Sequence, residues 1–215
     1  MQEAYLNFQK DRAKSIQVNG KAKIAVEPDT VIVSLEVYTE ELSLGQAQQE
    51  NAQNMEKVIH ALLKHGVGQP DIQTTVFTVY PIYDYVEEKQ VFRGFAVSNE
   101  LTISSNDIEA AGEIVDTAIN NGANRISEIR FSIDNQAYFY KQALIMALED
   151  AVSKSLAIAE KMQLRLAPYP VKIDEITNEP PQMHGQAFAL ANKNTTPIEP
   201  GKIVIAAEVN VQFQY

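Results

Sequence analysis

The sequence predicts an α+β fold, a ferredoxin-like βαββαβ half with an added N-terminal strand, a long C-terminal helix and two closing strands. Three observations carry this expectation. Hydrophobic periodicity switches repeatedly between two residues and 3.6. After the first strand pattern, the switches follow the order strand, helix, strand, strand, helix, strand, which is the ferredoxin-like order. The longest helical pattern, 136–162, comes afterwards and is followed by two further strand patterns.

The first strand is Ser15–Val26 (SIQVNGKAKIAV), which alternates polar with mostly apolar residues and runs into the turn signal Glu27-Pro28-Asp29. The run TVIVSLEVYTEE follows, with Val31, Val33, Leu35 and Val37 on one face and Ile32 and Tyr38 on the other, so the two strands are expected to pair as a hairpin. From Ser43, a plausible N-cap, Leu44, Ala47, Met55, Val58, Ile59, Leu62 and Leu63 recur at helical spacing up to Gly66. Residues 72–85 and 91–104 are rich in β-branched and aromatic side chains and flank Glu87-Glu88-Lys89, which predicts a long hairpin with Pro81 at an edge or bulge. A helix capped by Asn106 or Asp107 runs through Ile119, and residues 125–133 return as a strand.

The last helix shows Leu144, Leu148, Val152, Leu156, Ala159 and Met162 near one face, among many alanines that permit close packing. Residues 171–177 and 203–213 are strands. Between them, 178–201 is dense in Pro, Asn and Gly and longer than usual connections, so it is expected to be the least protected segment. No linker divides the chain. One α+β domain over 16–215 follows a flexible segment, 1–15; residues 16–133 form the ferredoxin-like half and 134–215 the remainder.

The composition narrows the partners. With 215 residues, 45% of them hydrophobic, the chain can bury a core without disulfides or structural metal. Its 18 basic and 28 acidic residues give a net charge of −10, which disfavours nucleic acid and anionic lipid as partners of the whole chain. The absence of cysteine removes disulfide frameworks, thiolate nucleophiles and Cys-based zinc or iron–sulfur sites. No run of 18 apolar residues occurs, so no integral membrane segment is expected, and the polar start MQEAYLNFQKDR has no signal-peptide core. As written, the chain reads as cytoplasmic; an exported or periplasmic location is the alternative if this start is that of a trimmed mature form.

Catalytic signatures are sparse. His60 and His65 are five apart, a spacing that puts them on different faces of a helix, and His184 lies alone in the long loop. No GxGxxG, GxxxxGK[ST] or GxSxG motif is present. The adjacent acidic pairs Glu40-Glu41, Glu87-Glu88 and Glu149-Asp150 read as a strand end before a helix, a hairpin tip and the solvated side of the long helix. No catalytic, cofactor-binding or metal-binding residue and no cofactor is therefore assigned.

The aromatic hairpin is the distinctive feature. Val76, Tyr80 and Ile82 alternate with Phe77, Val79 and Tyr83, so both faces are apolar while one face suffices to cover a core. Phe77, Val79, Tyr83, Tyr85 and Phe92, with Phe188 in the AFALA stretch of the loop, are the candidate interface, and the expected partner is a second copy or another protein. In the alternative arrangement the long helix folds back over the second face and leaves a monomer.

Five segments, in order, resemble the SIMPL-domain family, which includes bacterial periplasmic immunogenic proteins and is named after a signalling protein associated with a Pelle-like kinase. They are VNGKAKIAVEPD (Val18 to Asp29), DIQTTVFTVYPIYDY (Asp71 to Tyr85), RGFAVSNELTI (Arg93 to Ile103), GANRI (Gly122 to Ile126) and PIEPGKIVIAAEVNVQF (Pro197 to Phe213). Where the family tends to carry a second glycine, this sequence has Ala22. The resemblance implies an α+β fold without established catalytic residues or cofactor, members that are often exported, and associations with envelope structure, oxidative-stress defence or oligomeric assembly. A non-enzymatic assembly or interaction protein ranks first among the functions. A module binding a small molecule or peptide on the aromatic hairpin ranks second, and a hydrolase using scattered carboxylates third.

Overall fold

Seven strands and three α-helices build two antiparallel sheets in the computed structural model, which describes residues 14–176 and 196–215. The strands are β1 Ser15–Val26, β2 Thr30–Glu41, β3 Ile72–Val86, β4 Lys89–Ser105, β5 Arg125–Ser132, β6 Lys172–Ile176 and β7 Ile203–Gln214. The helices are α1 Leu44–His65, α2 Ala111–Asn120 and α3 Gln136–Met162. The expected N-terminal segment 1–15 (apart from its last two residues), most of the loop 178–201, His184 and Phe188 lie outside the described residues.

Two compact units emerge from the chain. One, residues 27–134 with 196–202, holds the four-stranded sheet in the order β3-β4-β2-β5. Its strand–helix–strand–strand–helix–strand connectivity is the expected ferredoxin-like order, while β1, which the expected bounds 16–133 count with this half, lies in the other unit. Alternation along β2 sends Val31, Val33, Leu35 and Val37 to the face where Met55, Val58 and Leu62 of α1 and Ile114, Val115 and Ala118 of α2 complete the core. Helix α1 stops at Gly66, whose φ of 107° only glycine adopts without strain. Gly66 N–H then donates to the Leu63 carbonyl and Val67 N–H to Leu62. Helix α2 begins three or four residues later than the Asn106 or Asp107 cap suggests, because Asp107 Oδ1 accepts from Ala110 N–H and closes a turn first. The described end of the long loop is held down: Thr196 donates through N–H and Oγ1 to Asp116, and Ile198 packs on the core.

The other unit, residues 14–26, 135–176 and 203–215, is a three-stranded sheet in the order β1-β7-β6 covered by α3. The hairpin expected between β1 and β2 does not form. β1 instead pairs with β7 over its whole length, from Ser15↔Gln214 to Val26↔Ile203, because the twelve-residue β7 offers a matching alternation that buries Ile203, Ile205, Val209, Val211 and Phe213 against the same helix. The face of α3 is also corrected. Its buried residues are Ala143, Ala147, Ala151, Ser155 and Ala159, whereas Val152, Leu156 and Met162 are exposed. The helix approaches β1 so closely at Gly20 that only small side chains fit between them.

Candidate functional site

The β3–β4 hairpin outgrows its own sheet. β2 pairs with β4 only as far as Glu41↔Phe95, while β3 continues to pair with β4 from Pro81↔Phe95 to Val86↔Lys89. The last five residues of β3 and their partners are therefore a two-stranded arm, roughly 17 Å long at the usual rise per residue. Its tip is a two-residue turn in which Glu87 and Glu88 both have positive φ, 49° and 63°, the geometry that matches the right-handed twist of a hairpin.

Register places most of the candidate interface on one face. Phe77 pairs with Asn99 and Val79 with Val97, across from the core residues Val37 and Thr39 of β2, so Phe77, Val79, Tyr83 and Tyr85 share the helix-ward side of β3. Phe92 pairs with Tyr83, with ring centroids 5.8 Å apart edge to face, and Phe95 stands 5.3 Å from Phe92. Phe77 is 58% exposed, Tyr85 77%, Tyr83 44% and Phe92 46%, while Val79 is half-buried. These side chains point toward the helix layer but lie along an edge strand and beyond the helices' reach, which is why they remain in water.

The backbone at this edge is guarded. Counting back from the two-residue turn, the residues whose N–H and C=O face away from β4 are Tyr85, Tyr83, Pro81, Val79 and Phe77. Pro81 sits in the middle of that row without an N–H, so the free ladder is interrupted at its centre, as expected for an edge position.

A polar cluster anchors the root of the arm on the opposite face. Arg93 occupies the bulge between Ile82↔Gly94 and Tyr83↔Phe92 and pairs with Glu40 and, at 3.6 Å, with Asp84. A Cβ on Gly94 would meet the Glu41 carbonyl oxygen at 2.6 Å, so glycine is required beside the bulge. Tyr38 donates to Glu40 at 2.7 Å, and the Arg125 guanidinium lies 3.5 Å from its ring centroid. Burial and then the hydrogen bond with Tyr80 push the Tyr38 phenol above its ordinary pKa.

Sequence reasoning missed two fastening residues. Asn124 uses its side-chain amide as a rung of the sheet, accepting from Tyr38 N–H at 2.9 Å and donating to the Tyr38 carbonyl at 2.7 Å. Asn51 is 1% exposed in α1 and donates to the Val37 and Val97 carbonyls, tying the helix to β2 and β4. A polar residue among the apolar positions of α1 is the available signal for Asn51; nothing local marks Asn124. The other residues weighed for chemistry stay apart. His65 faces Glu113 at 3.3 Å, and Asp150 is not simply solvated, since it accepts from Lys21 N–H and pairs with Lys154.

A family model described as "SIMPL: Protein of unknown function (DUF541)" matches residues 16–213. The chain belongs to the SIMPL family. Curated relatives include the 26 kDa periplasmic immunogenic proteins of Brucella melitensis biotype 1 and of Brucella abortus strain S19. Each is 28% identical over 210 residues, covering 93% of this chain and 84% of the relative. In this SIMPL chain three of the segments that carry the resemblance serve geometry: Gly20 admits α3, the Arg93-Gly94 pair makes the bulge, and Gly122, with φ 124°, turns the end of α2 into Asn124 and Arg125.

Proposed function

We propose that this SIMPL protein is a non-enzymatic assembly protein that associates with copies of itself through the β3–β4 arm. The observation that supports this reading is the arm itself, a ribbon that extends past its sheet and carries three exposed aromatic side chains, Tyr83, Tyr85 and Phe92, on one face, with Phe77 continuing that face at its root. Exposed apolar surface of this kind marks interaction sites in soluble proteins. The tip is closed by glutamates and the ladder is interrupted by Pro81, features that oppose strand-by-strand aggregation and favour contact through side chains. The names of the Brucella relatives support an exported setting over the cytoplasmic one read from the polar N-terminus.

Mass in solution tests the association. The wild type is expected to exceed the mass of one chain at micromolar concentration, and Tyr83→Asp to yield folded single chains, since Tyr83 already faces water and the substitution leaves the core intact. A wild-type mass of one chain throughout, or a Tyr83→Asp chain that loses its fold, would overturn association through the arm. Fractionation of the source cells with an antibody to the chain tests the location. Recovery with cytoplasmic markers alone overturns the exported setting.

A further inference from the structure

The outward face of α3 is built for a partner. The helix packs on β1 and β7 through alanines and one serine, whereas its larger apolar residues, Tyr138, Ile145, Leu148, Val152 and Leu156, form a stripe on the other side. Four of these five are exposed and Leu148 is half-buried, the reverse of the usual amphipathic arrangement. Ile145, Leu148, Val152 and Leu156 line a shallow groove with Glu149 and Ser153. The arm has the complementary deficiency, a strand face with large aromatic residues exposed to water.

We propose that the α3 stripe of one copy receives the helix-ward face of the β3 arm of a second copy, in a head-to-tail contact. This rests on the reading that copies associate through the arm, and adds the surface on which the arm lands. A helix lying on a strand face is the layer arrangement that each unit already uses internally. The lengths agree: Phe77 to Tyr85 is eight strand steps, about 27 Å, and Tyr138 to Leu156 is eighteen helical steps, also about 27 Å. Four or five large, half-exposed side chains on each surface, at roughly 100 Å² apiece, bring the contact near the roughly 1,000 Å² that a specific interface needs.

The two self-pairings are less favourable. Arm-to-arm pairing through the ladder meets Pro81 at its centre, and two-fold pairing of the stripes brings the Glu149 carboxylates of both copies onto one flank near the middle.

A mixing experiment with the full chain tests the head-to-tail contact. Tyr83→Asp disables the arm and Leu156→Glu disables the stripe; Tyr85→Asp and Ile145→Glu replace either one that fails to fold by circular dichroism. Each variant alone is expected to run as one chain by light scattering. Their equimolar mixture is expected to double in mass to two chains, because one intact arm and one intact stripe remain and the other ends are blocked. If Leu156→Glu and Ile145→Glu both keep the wild-type mass, or the mixture stays at one chain, the stripe is not the receiving surface while association through the arm stands. If the wild type itself is a single chain, both readings fail.

Discussion

Gly20 is a position where one methyl group decides whether a helix can dock. A Cβ built there would lie 2.0 Å from the Ala147 carbonyl oxygen and 2.8 Å from the Ala151 side chain, both in the middle of α3. Neither a backbone oxygen nor an alanine can rotate away, so Gly20→Ala is expected to cost about 3 kcal/mol or more, the upper range for overpacking. Urea denaturation of wild type and variant measures it; an unchanged midpoint would mean that α3 can slide along β1. The neighbouring Asp150 holds the same contact by charge. Its side-chain hydrogen bond with Lys154, then the Lys21 backbone N–H, draw its carboxyl below the ordinary aspartate range. Because the folded pKa is depressed, the stabilisation is fully present above the unfolded value of about 3.9 and is lost as pH falls through the lower folded value. Asp150→Asn should therefore be less stable than wild type at neutral pH, with the difference vanishing in strong acid. Melting curves across pH 7 to about pH 2, the span over which such a carboxylate titrates, show whether it does.

At the scale of elements, the arm's turn combines a favourable shape with unfavourable residues. Two consecutive positive φ values suit Asn-Gly, yet the chain has Glu87-Glu88, and a side chain in this region costs about 1 kcal/mol or more per residue. Replacing the pair by Asn-Gly is expected to slow amide exchange at Val86 and Lys89 by roughly tenfold, the equivalent of about 1.4 kcal/mol. Faster exchange in the variant would show that the glutamates make stabilising contacts at the tip. The strands were readable because alternation is a local property, and β1 and β2 have the bounds that their patterns suggest. Helix α3 also has the extent its pattern suggests, 136–162, but the large apolar residues that the pattern groups near one face are not the ones it buries. Large apolar side chains usually mark the core face, and here close approach to Gly20 reserves that face for alanine.

For the molecule as a whole, charge sets the conditions of association. Each copy carries −10, so assembly brings like charges together, and salt screens them within a Debye length of about 8 Å at physiological ionic strength. An interface held by aromatic and aliphatic side chains is expected to tighten as sodium chloride rises from about 20 to 300 mM, a range in which the Debye length falls severalfold. Sedimentation at fixed protein concentration follows this directly. A complex that falls apart with salt would instead rest on ion pairs. The division into two units also belongs to this scale. β1 and β7 come from opposite ends of the chain, 189 residues apart at the Asn19–Glu208 hydrogen bond, and no local pattern encodes such a pairing.

The sequence by itself determined the α+β class, the extents of most strands and helices, the ferredoxin-like order and, through five spaced motifs, membership of the SIMPL family. Periodicity, turn residues and glycine positions are properties of neighbouring residues, so they survive in a one-dimensional reading. Tertiary structure decided that β1 pairs with β7 instead of β2, that α3 buries its alanines, and that the hairpin outruns β2 and leaves its aromatic face in water. Those outcomes depend on which distant surfaces come within a few ångströms of one another, and close packing lets a single glycine or the end of one strand overrule the local hydrophobic pattern.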